Sequence, residues 1–94
     1  MLRKSIMKVR ELLNSPSKWV KRVAAIKNGH SALATDDCDA YCIYGAIAHC
    51  YGFRNSPAPY AKVRSVVGMS PVAWNDLDST TFADIKRVLS VCDI

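Results

Sequence analysis

The sequence predicts a mainly α, single-domain fold of four or five helices spanning residues 1–94. Three observations carry this. Half of the 94 residues are hydrophobic, enough for one modest core and too many for a disordered chain. Apolar residues recur at helical spacing in at least three stretches, with Leu2, Ile6, Val9 and Leu13 the first set and Phe82, Ile85, Val88, Leu89 and Cys92 the last. Gly, Pro, Asn and Ser punctuate the chain between those stretches, and neither a repeat nor a linker divides it.

The first helix is expected over Leu2 to Leu13, with Arg3, Lys4, Lys8 and Arg10 on its polar side. Asn14-Ser15-Pro16-Ser17 ends it, because proline disfavours helix in the residue before it. Lys18 to Ile26 reads two ways. Trp19, Val20, Val23 and Ile26 fit a helical face, while the Val and Trp content allows a short strand. A small two-stranded β pairing of residues near Trp19 and Trp74 is compatible with that. Asn28-Gly29 is a turn signal, and His30 to Asp37 reads as a polar loop.

The central helix is expected from about Asp39 to Tyr51, as the most buried element. Asp36, Asp37 and Asp39 crowd its start, where carboxylates cap free N–H groups, and Gly52 is a C-terminal stop. On such a helix Cys38, Cys42, Gly45 and His49 share one side. Glycine inside a helix costs about 1 kcal/mol against alanine. Gly45 therefore implies that another backbone packs there or that a ligand needs the space. Arg54 to Pro59 reads as a loop, Ala58 to Val67 as a helix stopped by Gly68, and Val72-Ala73-Trp74 as a strand or extended plug. Asn75-Asp76-Leu77-Asp78 is a turn. Thr81 caps the last helix, with Asp84 as a shortened capping-box acid.

Three features together resemble a known pattern. They are Cys42-Ile43-Tyr44-Gly45-Ala46, Val72-Ala73-Trp74-Asn75-Asp76, and the threonine-capped final helix. The pattern is that of a small domain family of bacteria, notably actinobacteria, and their phages. Its members carry a Cys-Leu-x-Gly-Ala helix and a Trp-Asn-Asp turn before a C-terminal helix. Trp19 is similar to the tryptophan that follows the first helix there, and the resemblance covers roughly Leu12 to Val91. The chain departs in having Ile43 for leucine, a short loop after Lys27 and a more basic N-terminus. The resemblance implies a compact, mainly helical fold and a setting in phage–host conflict. It carries no established activity.

The charge is uneven. Eight of the 13 basic residues lie in residues 1–30 against Glu11 alone, within a net charge of +5. That favours an anionic partner, although a solvated basic face explains it equally well. No apolar run approaches the roughly 20 residues that cross a bilayer, so no membrane partner is expected. Residues 1–13 are charged and periodic, unlike a secretory signal, which suggests a cytoplasmic setting, in a bacterium or an infected host cell, and free thiols.

Cys38, Cys42, His49 and Cys50 raise the question of zinc. Cys42 and His49 lie about 10.5 Å apart along a helix at 1.5 Å per residue, too far for one ion with ligand bonds of about 2.0–2.3 Å. His30 and Cys92 would have to complete any site. No cofactor or metal is therefore expected. The same separation weakens Cys42 with His49 as a nucleophile–base pair, and acids near Cys38 oppose a thiolate there. Asp76, Asp78 and Asp84 are accounted for by a turn and a cap. No residue is assigned a catalytic role.

The leading expectation is a non-enzymatic binding protein for a small anionic, nucleotide-derived ligand. Its sharper form is a phage sponge that sequesters a host immune signal. The expected contacts are Trp19, Arg22, Tyr41, Tyr44, Gly45, His49, Trp74, Asn75 and Asp76. Aromatic walls stack on a base, and basic or amide groups read its phosphate and edges. Each of these residues singly also fits a core or turn role. The alternative is a basic nucleic-acid or protein-interaction module built on the first helix, and the third reading is a small Cys/His hydrolase. A pocket completed between protomers would make the protein a homo-oligomer.

Overall fold

A computed structural model of the chain describes residues 7–34 and 36–94. Among them are five α-helices and a three-stranded antiparallel sheet. The helices are α1 (Val9–Leu12), α2 (Ile43–Asn55), α3 (Pro57–Val67), α4 (Pro71–Asn75) and α5 (Phe82–Cys92). The strands are β1 (Ala25–Lys27), β2 (His30–Ser31) and β3 (Ala40–Tyr41), in the order β2-β1-β3.

The mainly helical expectation holds, with differences in detail. Of the first helix, only Val9–Leu12 is described as helical, and the part expected over residues 2–6 lies outside the described residues. A single 3-10 turn, Pro16–Lys18, follows the first helix, and the ambiguous stretch from Lys18 to Ile26 then leads as non-helical chain into β1. Asn28-Gly29 turns β1 into β2, pairing Lys27 with His30. Both turn residues have positive φ, 53° and 79°, as a two-residue hairpin turn matched to strand twist requires. His30–Ser31 is therefore a strand rather than loop.

The central helix starts four residues later than expected. Ala40 and Tyr41 instead pair with Ile26 and Ala25 of β1. Cys42, not an aspartate, is the N-cap, and its Sγ accepts from Gly45 N–H at 3.3 Å. Asp39 serves the hairpin by accepting from Asn28 N–H at 2.9 Å. The periodicity alone could not separate β3 from the helix, because two buried residues fit either period. Gly52 does break α2, at φ 76° and ψ 158°, but the chain resumes a helical turn as far as Asn55.

Val72-Ala73-Trp74 lies within α4 and is not a strand. Ser70 caps that helix and Pro71 opens it, a start signal that outweighs the β propensity of Val and Trp. The expected pairing of Trp19 with the Trp74 region is thus replaced. Trp19 bridges Tyr41 of β3. The Thr81 capping box with Asp84 and the left-handed Gly68 after α3 form as expected.

Leu13, Ile43, Ile47, Val63, Ile85, Val88, Leu89 and Ile94 fill the core between α1, α2, α3 and α5. Val9 N–H donates to the Ile94 carbonyl. Lys8 and Arg10 reach Asp93 Oδ1 at 3.0 and 2.8 Å, tying α1 to the end of α5.

Candidate functional site

The Trp-Asn-Asp segment closes the fold around the start of α2. Asn75 ends α4 and is fully buried. Its Oδ1 accepts from Trp19 Nε1–H at 2.7 Å and from Ile43 N–H at 2.9 Å. Its Nδ2 donates to the Val20 carbonyl at 3.2 Å and to Asp76 Oδ1 at 3.0 Å. One amide thereby ties the chain after the 3-10 turn, the first turn of α2 and the end of α4. Trp74 packs against the core, and its carbonyl accepts from Thr80 Oγ1 at 2.6 Å. Trp19 sits against Phe82, with ring centroids 6.3 Å apart, and under the Lys21 ammonium at 5.4 Å.

Asp76 Oδ1 also accepts from Arg22 N–H at 2.8 Å. Arg22 has φ 75°, a left-handed conformation that a non-glycine residue holds at a cost of about 1–3 kcal/mol. The carboxylate of Asp76 thus pins a strained backbone. The Arg22 side chain remains 71% exposed, and its guanidinium stands 3.6 Å from the still more open Asp78 carboxylate. Such an exposed pair holds the side chain weakly.

A cleft of about 280 Å³ opens beside Arg22, lined by Val23, Ala24, Cys42, Tyr44, Val72 and Asp76. Its floor explains Gly45. A Cβ there would land on the Ala24 carbonyl, whose oxygen accepts from Cys42 N–H at 3.0 Å. Backbone packing is therefore the reason for the glycine, and Gly45 itself does not line the cleft. A second hollow, of about 290 Å³, also touches Tyr44 and is lined by Phe53, Ser56, Pro57 and Tyr60. A third depression, about 580 Å³, is an open trough between α3 and α5. It holds none of the sequence-predicted residues, and Lys62 is its one charged lining residue among those described.

Of the nine expected contacts, the structure brings Arg22, Tyr44 and Asp76 to one cleft. Trp19, Trp74 and Asn75 stand behind it as packing and hydrogen-bonding groups. Tyr41 and His49 form a separate cluster. Tyr41 Oη donates to the Asp36 carbonyl at 3.0 Å and accepts from Cys38 N–H at 2.8 Å. Its ring lies 4.9 Å from the His49 imidazole. His49 Nδ1 donates to the Ala34 carbonyl at 2.8 Å, while Nε2 faces Asp37 at 3.8 Å. These groups hold the segment before β3. Burial raises the Tyr41 hydroxyl above its ordinary pKa, so it stays protonated. Sequence reading missed Val23, Ala24 and Val72 as lining residues, since nothing distinguishes them from core positions.

All four cysteines are free thiols. Burial pushes the Cys42 thiol up, and it pushes Cys50 to about 11 with help from the Glu11 carboxylate. Both are thiols, not thiolates, at neutral pH. Cys42 and His49 belong to different clusters, so the nucleophile–base pair weighed from sequence does not form. Among the described residues, no three His, Cys, Asp or Glu side chains are grouped to hold a metal ion. No family model, curated protein or solved structure matches the chain.

Proposed function

We propose that the protein is a non-enzymatic binder of a small anionic, nucleotide-derived ligand, held at the Arg22–Tyr44 cleft. The observation that carries this is Arg22 itself. A left-handed position favours glycine, and the chain instead keeps a basic side chain there, pinned at its backbone by Asp76 and open at its guanidinium. Backbone strain of this kind concentrates at ligand clamps. A guanidinium at a cleft mouth offers a fork of donors to a phosphate. The Asp76 carboxylate opposes an anion, but two N–H donors already share its Oδ1.

The non-enzymatic part rests on the protonated, buried Cys42 and on its separation from His49. Of the basic residues on which the nucleic-acid alternative rests, Lys8 and Arg10 pair with Asp93 at the surface, and Arg3 and Lys4 lie outside the described residues. Among the described residues no helix is long and apolar enough to cross a membrane. In the phage–host setting that the family resemblance implies, the ligand is an immune nucleotide signal and binding sequesters it in the cytoplasm. A second protomer closing the open side of the cleft would make the binder a homo-oligomer.

Native mass spectrometry of the protein with mononucleotides, cyclic dinucleotides and oligonucleotides tests the reading. Stoichiometric retention of a small phosphorylated compound, recovered unmodified on denaturation, supports it. Retention of oligonucleotides alone, or recovery of a cleaved compound, overturns it.

A further inference from the structure

Tyr44 is shared by two hollows, the Arg22 cleft and a second one whose walls are largely aromatic. The break in α2 builds that hollow. Gly52, at φ 76°, turns the chain, and Ser56 Oγ donates back to the Gly52 carbonyl at 2.7 Å. Phe53 leaves the bend 59% exposed, although a phenylalanine gains about 1.5–3 kcal/mol by full burial. Pro57 then opens α3 and brings Tyr60 opposite Tyr44. The two tyrosine rings meet edge to face, with centroids 6.1 Å apart and planes at 87°.

Two rings at right angles, with a third ring exposed beside them, make a corner for a flat aromatic group. Among the described residues no charged side chain lines this corner, and the Ser56 hydroxyl is already bonded within the bend. A phosphate has no partner there. A heterocyclic base does, because every base presents a face that stacks on an aromatic ring without needing a specific hydrogen bond. The two hollows thus differ in chemistry while sharing Tyr44: Arg22 and Asp76 line one, and aromatic rings line the other. A nucleoside phosphate has the same arrangement, with its base and its phosphate at opposite ends of one sugar.

We propose that the Tyr44–Phe53–Tyr60 hollow is a base subsite, so that the ligand is a nucleoside phosphate whose base stacks in the corner while its phosphate meets Arg22. This rests on the reading of the Arg22 cleft as the anion site. It adds Phe53 and Tyr60 to the binding residues and excludes sugar phosphates and inorganic anions as the preferred ligands.

Isothermal titration of the intact protein with the ribonucleoside monophosphates, a set of cyclic dinucleotides and ribose 5-phosphate tests it. At least one nucleotide should bind about tenfold or more tightly than ribose 5-phosphate, the scale of one base–aromatic stack. Phe53→Ser should remove most of that advantage without weakening ribose 5-phosphate. Phe53 lies outside the core, and circular dichroism confirms that the variant is folded. Equal affinity for nucleotides and ribose 5-phosphate overturns the base subsite and leaves the anion site standing. So does a Phe53→Ser protein that keeps the full nucleotide advantage. Binding of none of these phosphates overturns both.

Discussion

Replacing Gly45 with alanine tests the seam between α2 and the chain entering β1. In an open helix the change is favourable by about 1 kcal/mol. Here the new Cβ would land on the Ala24 carbonyl oxygen, with the carbonyl carbon at 2.9 Å and Cα at 3.4 Å. These are backbone atoms, and no rotamer change relieves them. Overpacking of this kind costs about 1–3 kcal/mol. Moving Ala24 also strains its bond from Cys42 N–H, and a buried donor left unpaired costs about 1–3 kcal/mol more. After the propensity gain is deducted, Gly45→Ala should destabilise the protein by about 1–5 kcal/mol. In a chain of this size that lowers the melting midpoint by about 5–25 °C. Urea and thermal denaturation followed by far-UV circular dichroism measure it, and Gly45→Leu should fail to fold. The sign is decisive. An alanine variant as stable as the parent, or more stable, would show that no backbone packs against Gly45.

Two further outcomes concern stability. Asn75→Ala strands Trp19 Nε1–H, Ile43 N–H and the Val20 carbonyl, so urea unfolding should show a loss of about 3–5 kcal/mol, and a loss of under about 1 kcal/mol would refute the latch. Acid should destabilise the protein through two carboxyls. Hydrogen bonds from Lys8 and Arg10 hold Asp93 below its ordinary value of 3.8, and the Thr81 N–H and hydroxyl do the same for Asp84. A carboxyl whose pKa falls on folding stabilises above the unfolded pKa, and this is lost as pH drops below about 3.8 towards the folded pKa. Urea midpoints measured down through that range should decline less steeply for Asp93→Asn, and an unchanged acid limb would contradict the pairing.

Much of the helical framework was legible in local signals. Thr81 with Asp84, Gly68 after Val67 and Asn28-Gly29 each act through bonds within a few residues, and each sits where the sequence places it. The errors arose where tertiary partners decide. Ala40 and Tyr41 read as the start of a helix because their pairing with Ile26 and Ala25 is remote in sequence. Val72 to Trp74 read as extended because propensity was weighed above the Ser70-Pro71 start signal. In the site, Arg22 and Tyr44 could be named from residue type, but the left-handed backbone at Arg22 could not. It depends on Asp76, 54 residues away. Asn75 was seen as polar and notable, and only its four partners show that it faces inward. Phe53 carried no signal, since its exposure follows from the bend at Gly52.

Arg22→Gly separates fold from function most directly. Glycine relieves the left-handed backbone and keeps the N–H that Asp76 accepts, while the guanidinium is lost. If Arg22 is retained for an anionic ligand, titration with the phosphorylated compound held by the parent protein should show binding weakened at least about tenfold. The thermal midpoint should stay level or rise. A glycine variant that binds that compound as tightly as the parent would contradict the account.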